Sequence, residues 1–274
     1  MEYNILDFGA AGDGVTNDTR AIQAAIDACA RAGGGRVTIP GGRTFRCGAL
    51  ILCSNLELHL QAGAVLKGSD RLTDYILGGG DAGIPEKRAV PSYENSEYNG
   101  APAYYFLYGK DCENVAITGL GRIDGNEEIF YGEVTPWHIE GAFYPRVPML
   151  FVENTRHLSI RDVTFARSAF WTVHLVGCED VLIENCFLRT FDDSICVKGF
   201  DCYYDGDVEA AVHAAMYRNG KAYDVFKNVL VENCVIWNDW GKCFEIGAEC
   251  CAEEMRNISF TDSAIIHVNG APLD

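Results

Sequence analysis

The chain has 274 residues, 48% hydrophobic and 22% charged, with a formal net charge of −17 at pH 7. That length and balance supply a sizeable core and exclude a disordered chain. The acidic excess, with Lys and Arg gathered into no stripe, excludes nonspecific nucleic-acid binding, and the sequence has no apolar run of about 18 to 20 residues that would cross a membrane.

The opening MEYNILDFGA lacks the basic and apolar regions of a secretory signal, so the chain as written is expected in the cytoplasm, or secreted if a signal has been removed. A helix is predicted next, because Asn17 or Asp18 can cap a segment with Ile22, Ala25, Ile26 and Cys29 on one face. It should stop at Gly33-Gly34-Gly35. Short β-type runs follow at Arg36 to Pro40, Leu50 to Cys53, Leu56 to Leu60 and Ala64 to Leu66.

A phrase then recurs in which a polar residue precedes alternating apolar ones: Asn114 to Ile117, His157 to Ile160, Asp180 to Ile183, Asn228 to Val231 and Asn257 to Phe260. Leu158 to Val181 is 23 residues and Val229 to Ile258 is 29, the spacing of one solenoid coil of three short strands. The 48 residues from Val181 to Val229 read as a coil plus an insertion. Identical Glu-Asn-Cys triplets at 184–186 and 232–234 suit stacked turns and asparagine ladders, which a β-sandwich would not repeat at this spacing. The fold expected is all-β, a parallel β-helix of one domain, 1–274, with the helix covering its first coil. Ile265 to Gly270 begins a further coil without a cap, so the domain is read as truncated at its C-terminus.

The twelve cysteines are scattered through a core-forming chain. Cys178, Cys186, Cys196, Cys234 and Cys243 lie in or beside strand runs and are read as reduced packing residues, and Cys250 and Cys251 as the most reactive. No zinc spacing is present, and neither a metal nor a cofactor is expected.

Several motifs resemble the polygalacturonase family, glycoside hydrolase family 28, within the pectin-lyase-like right-handed β-helices. They are Phe8-Gly9-Ala10, Gly12-Asp13-Gly14, Asp18-Thr19, Ala21 to Asp27, Ala62-Gly63-Ala64 and Gly68-Ser69. Ile117-Thr118-Gly119, Ile123-Asp124-Gly125 and Phe170 to His174 continue the likeness, and Asp192 to Lys198 resembles the family's paired-aspartate strand. Two family features are missing: the Asn-Thr-Asp segment between His174 and Asp192, and the His of a Gly-His-Gly motif near Trp240-Gly241-Lys242. The family's Arg-Ile-Lys segment would fall at or beyond residue 274.

Strand alternation with Ile195 and Val197 inward turns Ser194, Cys196 and Lys198 outward. Aligned coils then give an outward row of His174, Cys196 and Glu245, with Val173, Leu175, Phe244 and Ile246 inward. Rungs about 4.8 Å apart bring Asp192, Asp193 and Glu245 within one sugar ring. Glycoside hydrolysis needs one carboxylic acid and one carboxylate about 5 to 9.5 Å apart. The resemblance implies Asp192 as acid and Asp193 as base, with Glu245 replacing the missing aspartate. The bland alternatives are a polar turn for the aspartates and a solvated rung residue for Glu245.

Candidate substrate contacts are His174, Lys198, Lys242 and Arg146, with Trp171 and Trp240 as sugar-stacking rings. Tyr203, Tyr204, Trp137 and the Tyr104-Tyr105 pair are further aromatic candidates, and Asp201, Asp205 and Asp207 read as a solvated loop rather than a calcium site. The function expected is an inverting glycosidase acting on a pectic or related saccharide. A polysaccharide lyase and a noncatalytic carbohydrate-binding β-helix are the alternatives, and the oligomeric state is left open.

Overall fold

A computed structural model of the chain describes residues 1–75, 105–130, 133–134, 139–140, 146–198, 225–247 and 254–274. Three parallel sheets wind around one core, so the chain is a right-handed parallel β-helix. The first sheet has eight strands: Glu2–Asn4, Gly35–Ile39, Leu56–Leu60, Glu113–Thr118, Arg156–Arg161, Glu179–Glu184, Val225–Glu232 and Glu254–Thr261. The second also has eight, running from Asp13–Asn17 to Ala264–Val268. The third has six: Leu50–Ile51, Leu107–Lys110, Leu150–Glu153, Val173–Val176, Ile195–Lys198 and Phe244–Ile246. No helix among the described residues is long and apolar enough to cross a membrane.

The recurring phrases all become strands of the first sheet, and Val115, Leu158, Val181, Val229 and Ile258 stack in register. Their apolar residues point inward because period-two alternation puts one side of each strand into the core. The leading polar residue is left-handed in every copy, with φ of 58° at Asn114, 58° at His157, 56° at Asp180, 57° at Asn228 and 52° at Asn257. Asn and Asp tolerate that conformation better than most residues, which is the physical content of the phrase. Side-chain ladders join the positions: Asn114 Nδ2 donates to Asn55 Oδ1 at 2.9 Å, Asn228 Nδ2 to Asp180 Oδ1 at 2.7 Å, and Asn257 Nδ2 to Asn228 Oδ1 at 2.9 Å.

The Glu-Asn-Cys triplets close the corner between the first and second sheets. Asn185 and Asn233 take φ of 56° and 53°, and Glu184 pairs with Glu232. The next side chain is buried and donates to the carbonyl two residues back: Cys186 Sγ to Glu184 O at 3.3 Å and Cys234 Sγ to Glu232 O at 3.3 Å. Ser263 Oγ does the same to Thr261 O at 2.9 Å one coil on. At the corner between the third and first sheets Cys178 Sγ donates to Val176 O at 3.5 Å, and Thr155 Oγ1 to Glu153 O at 3.1 Å. Thiol and hydroxyl are thus interchangeable corner donors, and burial pushes the Cys178 thiol up to about 12, so it stays protonated.

The helix spans Thr19–Arg31 and buries Ile22, Ala25, Ile26 and Cys29, the face expected, over the first coil. Of the two candidate caps Asn17 does the work, its Oδ1 accepting from Thr19 N at 3.0 Å. The Asp18 carboxylate instead accepts from Ala11 N at 2.7 Å and Gly12 N at 3.1 Å, pinning the preceding turn.

Two residues bridge each later corner between the first and second sheets, as at 185–186, 233–234 and 262–263. The long connections, 76–104 and 199–224, adjoin strands of the third sheet. One sequence expectation fails on the outer side of that sheet. Val173, Leu175, Ile195 and Val197 do face the core, but the opposite side chains, His174, Cys196 and Lys198, are also buried. Alternation sets which side a residue takes; it does not say what lies over that side. Ile246, expected inward, is 42% exposed because it lies on the last strand of its sheet.

Candidate active site

The candidate site sits where two successive rungs turn from the second sheet into the third. On the lower rung the strand Phe187–Thr190 turns through Asp192 and Asp193 into Ile195–Lys198. On the upper rung Val235–Asn238 turns through Trp240-Gly241-Lys242 into Phe244–Ile246. Backbone bonds clamp the turns together: Asp239 N donates to Thr190 O at 2.8 Å, Gly241 N to Phe191 O at 2.9 Å and Ser194 N to Lys242 O at 2.8 Å. The row expected from alternation is present, since His174 pairs with Cys196 and Cys196 with Glu245.

Asn238, which sequence reasoning missed, is fully buried between the turns. Its Nδ2 lies 2.8 Å from Asp192 O, 3.0 Å from Thr190 Oγ1, 3.1 Å from Ser194 Oγ and 3.1 Å from Lys242 O. Its Oδ1 accepts from Trp240 N at 3.1 Å. Only its register position opposite Thr190 would have signalled that role. Gly241 is required by space, because a Cβ there would lie 2.6 Å from Asp193 N and 2.7 Å from Asp192 C.

The three carboxyls differ in their partners. Asp192 Oδ2 accepts from Arg146 Nη1 at 2.6 Å, and its Oδ1 from Asp193 N at 2.9 Å. Asp193 Oδ1 accepts from Lys242 N at 2.8 Å, and its side chain hydrogen-bonds that of Glu245. Glu245 Oε1 takes Lys242 Nζ at 3.2 Å, while its Oε2 is buried without a hydrogen-bond partner. Burial, the bond to Glu245 and the charges of Asp192 and Glu245 raise the Asp193 carboxyl, against the opposing Lys242 N–H. Burial would raise Glu245 too, but the bond from Asp193 and the charges of Lys242 and Lys198 outweigh it and hold Glu245 low. One proton is therefore shared by the pair and lies with Asp193. Lys242 is depressed by burial but raised further by Glu245 and Asp193, so it stays charged.

The expected substrate contacts divide by exposure. Trp240 is 41% exposed and stacks on Phe191 at 5.6 Å, and the Lys242 side chain is 33% exposed. Arg146 is buried against Asp192 and lies 4.3 Å over the Phe170 ring, so it does not present a free guanidinium. His174, expected as an exposed rung residue or a substrate contact, is buried and stacks on Phe151 at 4.5 Å, because packed rings lie on either side of it. Trp171 is buried between Phe170 at 4.3 Å and Lys198 Nζ at 3.5 Å above its ring, so its faces are taken by protein groups. Lys198, expected outward, is buried on that ring. Tyr105, a suggested cleft wall, is buried and stacks on Tyr108 at 4.4 Å. Tyr104, Trp137, Tyr203, Tyr204, Asp201, Asp205, Asp207, Cys250 and Cys251 lie outside the described residues.

The family described as Rhamnogalacturonase A/epimerase, pectate lyase-like, matches residues 3–69. An exo-poly-alpha-D-galacturonosidase of Dickeya chrysanthemi is 40% identical over 128 residues, covering 45% of this chain and 19% of that protein. A probable polygalacturonase of Vitis vinifera is 26% identical over 233 residues, covering 73% and 45%. A mannuronan C5-epimerase of Azotobacter vinelandii is 34% identical over 144 residues, covering 50% and 12%. The chain thus spans less than half the length of these relatives. The solved hyperthermoactive exopolygalacturonase from Thermotoga maritima has a TM-score of 0.64 at 23% identity, covering 96% of this chain and 66% of that one. With three parallel sheets and a capping helix already in view, these likenesses make the chain a right-handed β-helix of the pectin-lyase-like superfamily, related to the polygalacturonases of glycoside hydrolase family 28.

Proposed function

We propose that this β-helix carries the carboxylate site of a glycosidase that hydrolyses a pectic saccharide with inversion. The observation that carries the reading is the Asp193–Glu245 pair, in which one carboxyl keeps its proton while its neighbour is held ionised beside Lys242. An inverting hydrolase needs those two states at once. The electrostatics favour Asp193 as the acid that protonates the leaving oxygen and Glu245 as the base that activates water. That reverses part of the sequence expectation, in which Asp192 was the acid and Asp193 the base. Trp240 and Lys242, the exposed members, suit a sugar face and a uronate carboxylate.

The likeness to an epimerase keeps proton abstraction beside a uronate carboxylate as a second reading, but the charged state of Lys242 argues against it as the base. The test is release of reducing ends, with ultraviolet absorbance read in parallel, from polygalacturonate, alginate and neutral oligosaccharides. Hydrolysis predicts reducing ends without an unsaturated product, lost by about 10² to 10⁴ in Asp193→Asn and Glu245→Gln. Unsaturated product would replace the reading with a lyase. Binding without turnover would make the domain a carbohydrate-binding module.

A further inference from the structure

We propose that Arg146 is a positioning residue that holds Asp192 ionised and in place, so that the proton of the three-carboxyl group resides on Asp193. The inference rests on the glycosidase reading of this site and gives Arg146 a place in it other than substrate contact.

The guanidinium is fixed from three sides. Its Nη1 donates to Asp192 Oδ2 at 2.6 Å and to Ala169 O at 3.1 Å, and its plane lies 4.3 Å from the Phe170 ring centre. Only 2% of the Arg146 side chain and 6% of that of Asp192 are exposed, so water does little to screen the pair. Both Asp192 oxygens meet donors, the second through Asp193 N. A proton on Asp192 would displace a charge-assisted bond and leave a buried cation uncompensated, a costly exchange.

The other two carboxyls complete the logic. Glu245 has Lys242 Nζ at 3.2 Å, whereas Asp193 has no cation in contact among the described residues. Groups facing Asp193 from the packed elements are Asp192 on its own turn, Glu245 and the Cys243 thiol on the next rung, and Lys242 through its backbone N–H and its more distant charge. Lys198 acts on Glu245 from the strand that follows Asp193. Three buried carboxyls with two close cations keep one proton, and it settles on the member without a cation.

The assignment makes a counterintuitive prediction: removing a positive charge should make a nearby acid stronger. The experiment is a carboxyl-carbon NMR titration of aspartate-labelled protein, comparing wild type with Arg146→Gln, Arg146→Lys and Asp192→Asn. In Arg146→Gln the Asp192 midpoint should rise by about one to three pH units and the Asp193 midpoint should fall. Arg146→Lys, which keeps the charge, should hold both near wild type. Asp192→Asn removes the same negative charge with Arg146 present and should also lower Asp193, a second route if Arg146→Gln fails to fold. An Asp193 midpoint that stays put or rises in Asp192→Asn or a folded Arg146→Gln overturns the proposal, as does Arg146→Lys behaving like Arg146→Gln.

On a turned-over substrate, Arg146→Gln should lower kcat with little change in KM and move the alkaline limb of the kcat profile to lower pH. Expected titrations in a protein that turns nothing over would sink the glycosidase reading and leave this inference standing. Turnover with immobile titrations would do the reverse.

Discussion

Replacing Gly241 with alanine tests the contact that brings the two rungs of the site together. The added Cβ would lie 2.6 Å from Asp193 N, 2.7 Å from Asp192 C and 2.7 Å from Asp193 Oδ1, where ordinary contact begins at 3.4 Å. The shortfall is 3.4 − 2.6 = 0.8 Å against backbone, which cannot swing aside as a side chain would. Moving the aspartate turn by that much should cost about 10²-fold in kcat/KM, the usual penalty for a displacement near 1 Å. Overpacking should remove about 1 to 3 kcal/mol of stability, a fall of about 3 to 9 °C in Tm for a chain of this length. The matched control is Gly109→Ala in the same sheet, whose new Cβ has its nearest neighbours at 3.7 Å, so stability should change by less than about 0.5 kcal/mol. Thermal unfolding and reducing-end assays on both variants decide the matter. If Gly241→Ala matches the control in both, the close approach of the turns is wrong.

Three further outcomes follow from the same geometry. Burial, the bond to Glu245 and neighbouring charge raise the Asp193 carboxyl in the folded state, so the folded chain binds its proton more tightly than the unfolded one and stability is lost as pH climbs above the model value of 3.8. Asp193→Asn, which mimics the protonated form, should therefore gain on wild type in Tm measured from about pH 5 to about pH 8, and parallel curves would contradict the shift. At Asn233, with φ of 53°, alanine should cost about 1 to 2 kcal/mol in urea unfolding while glycine costs far less; equal losses would show that the side chain, not the backbone, matters there. Ile22→Ala on the capping helix, where Ile22 is fully buried, should cost about 2 to 5 kcal/mol, and a value under 1 would mean that the helix covers little.

The strand stack was legible because the same physical problem recurs once per coil and receives the same residues each time. A polar residue that tolerates a left-handed backbone, then alternating apolar side chains, then Asn and a small corner donor, marks Asp180 to Cys186 and Asn228 to Cys234 alike. Register followed from that repetition, which is why His174, Cys196 and Glu245 were placed in one row before any coordinates. The surroundings of that row were not legible. Burial of His174 and Lys198 comes from packed rings such as Phe151 and Trp171, and periodicity carries no information about what lies across a sheet's outer side. Asn238 escaped notice because its four acceptors come from residues between four and 48 positions away, and single-strand patterning cannot weigh them. The pairing of Arg146 with Asp192 spans 46 positions and was equally invisible.

The uneven lengths of the connections divide the labour of change within this molecule. Where the first sheet passes into the second, a two-residue corner leaves no room for insertion, and each coil repeats its predecessor. At the ends of the third sheet the chain leaves the stack for segments as long as 76–104 and 199–224, then rejoins with Val181 still paired to Val229. Length is therefore free at the borders of the sheet bearing the carboxyls and fixed elsewhere. Descendants of such a chain can remodel what surrounds the chemistry, coil by coil, without renegotiating how the protein folds.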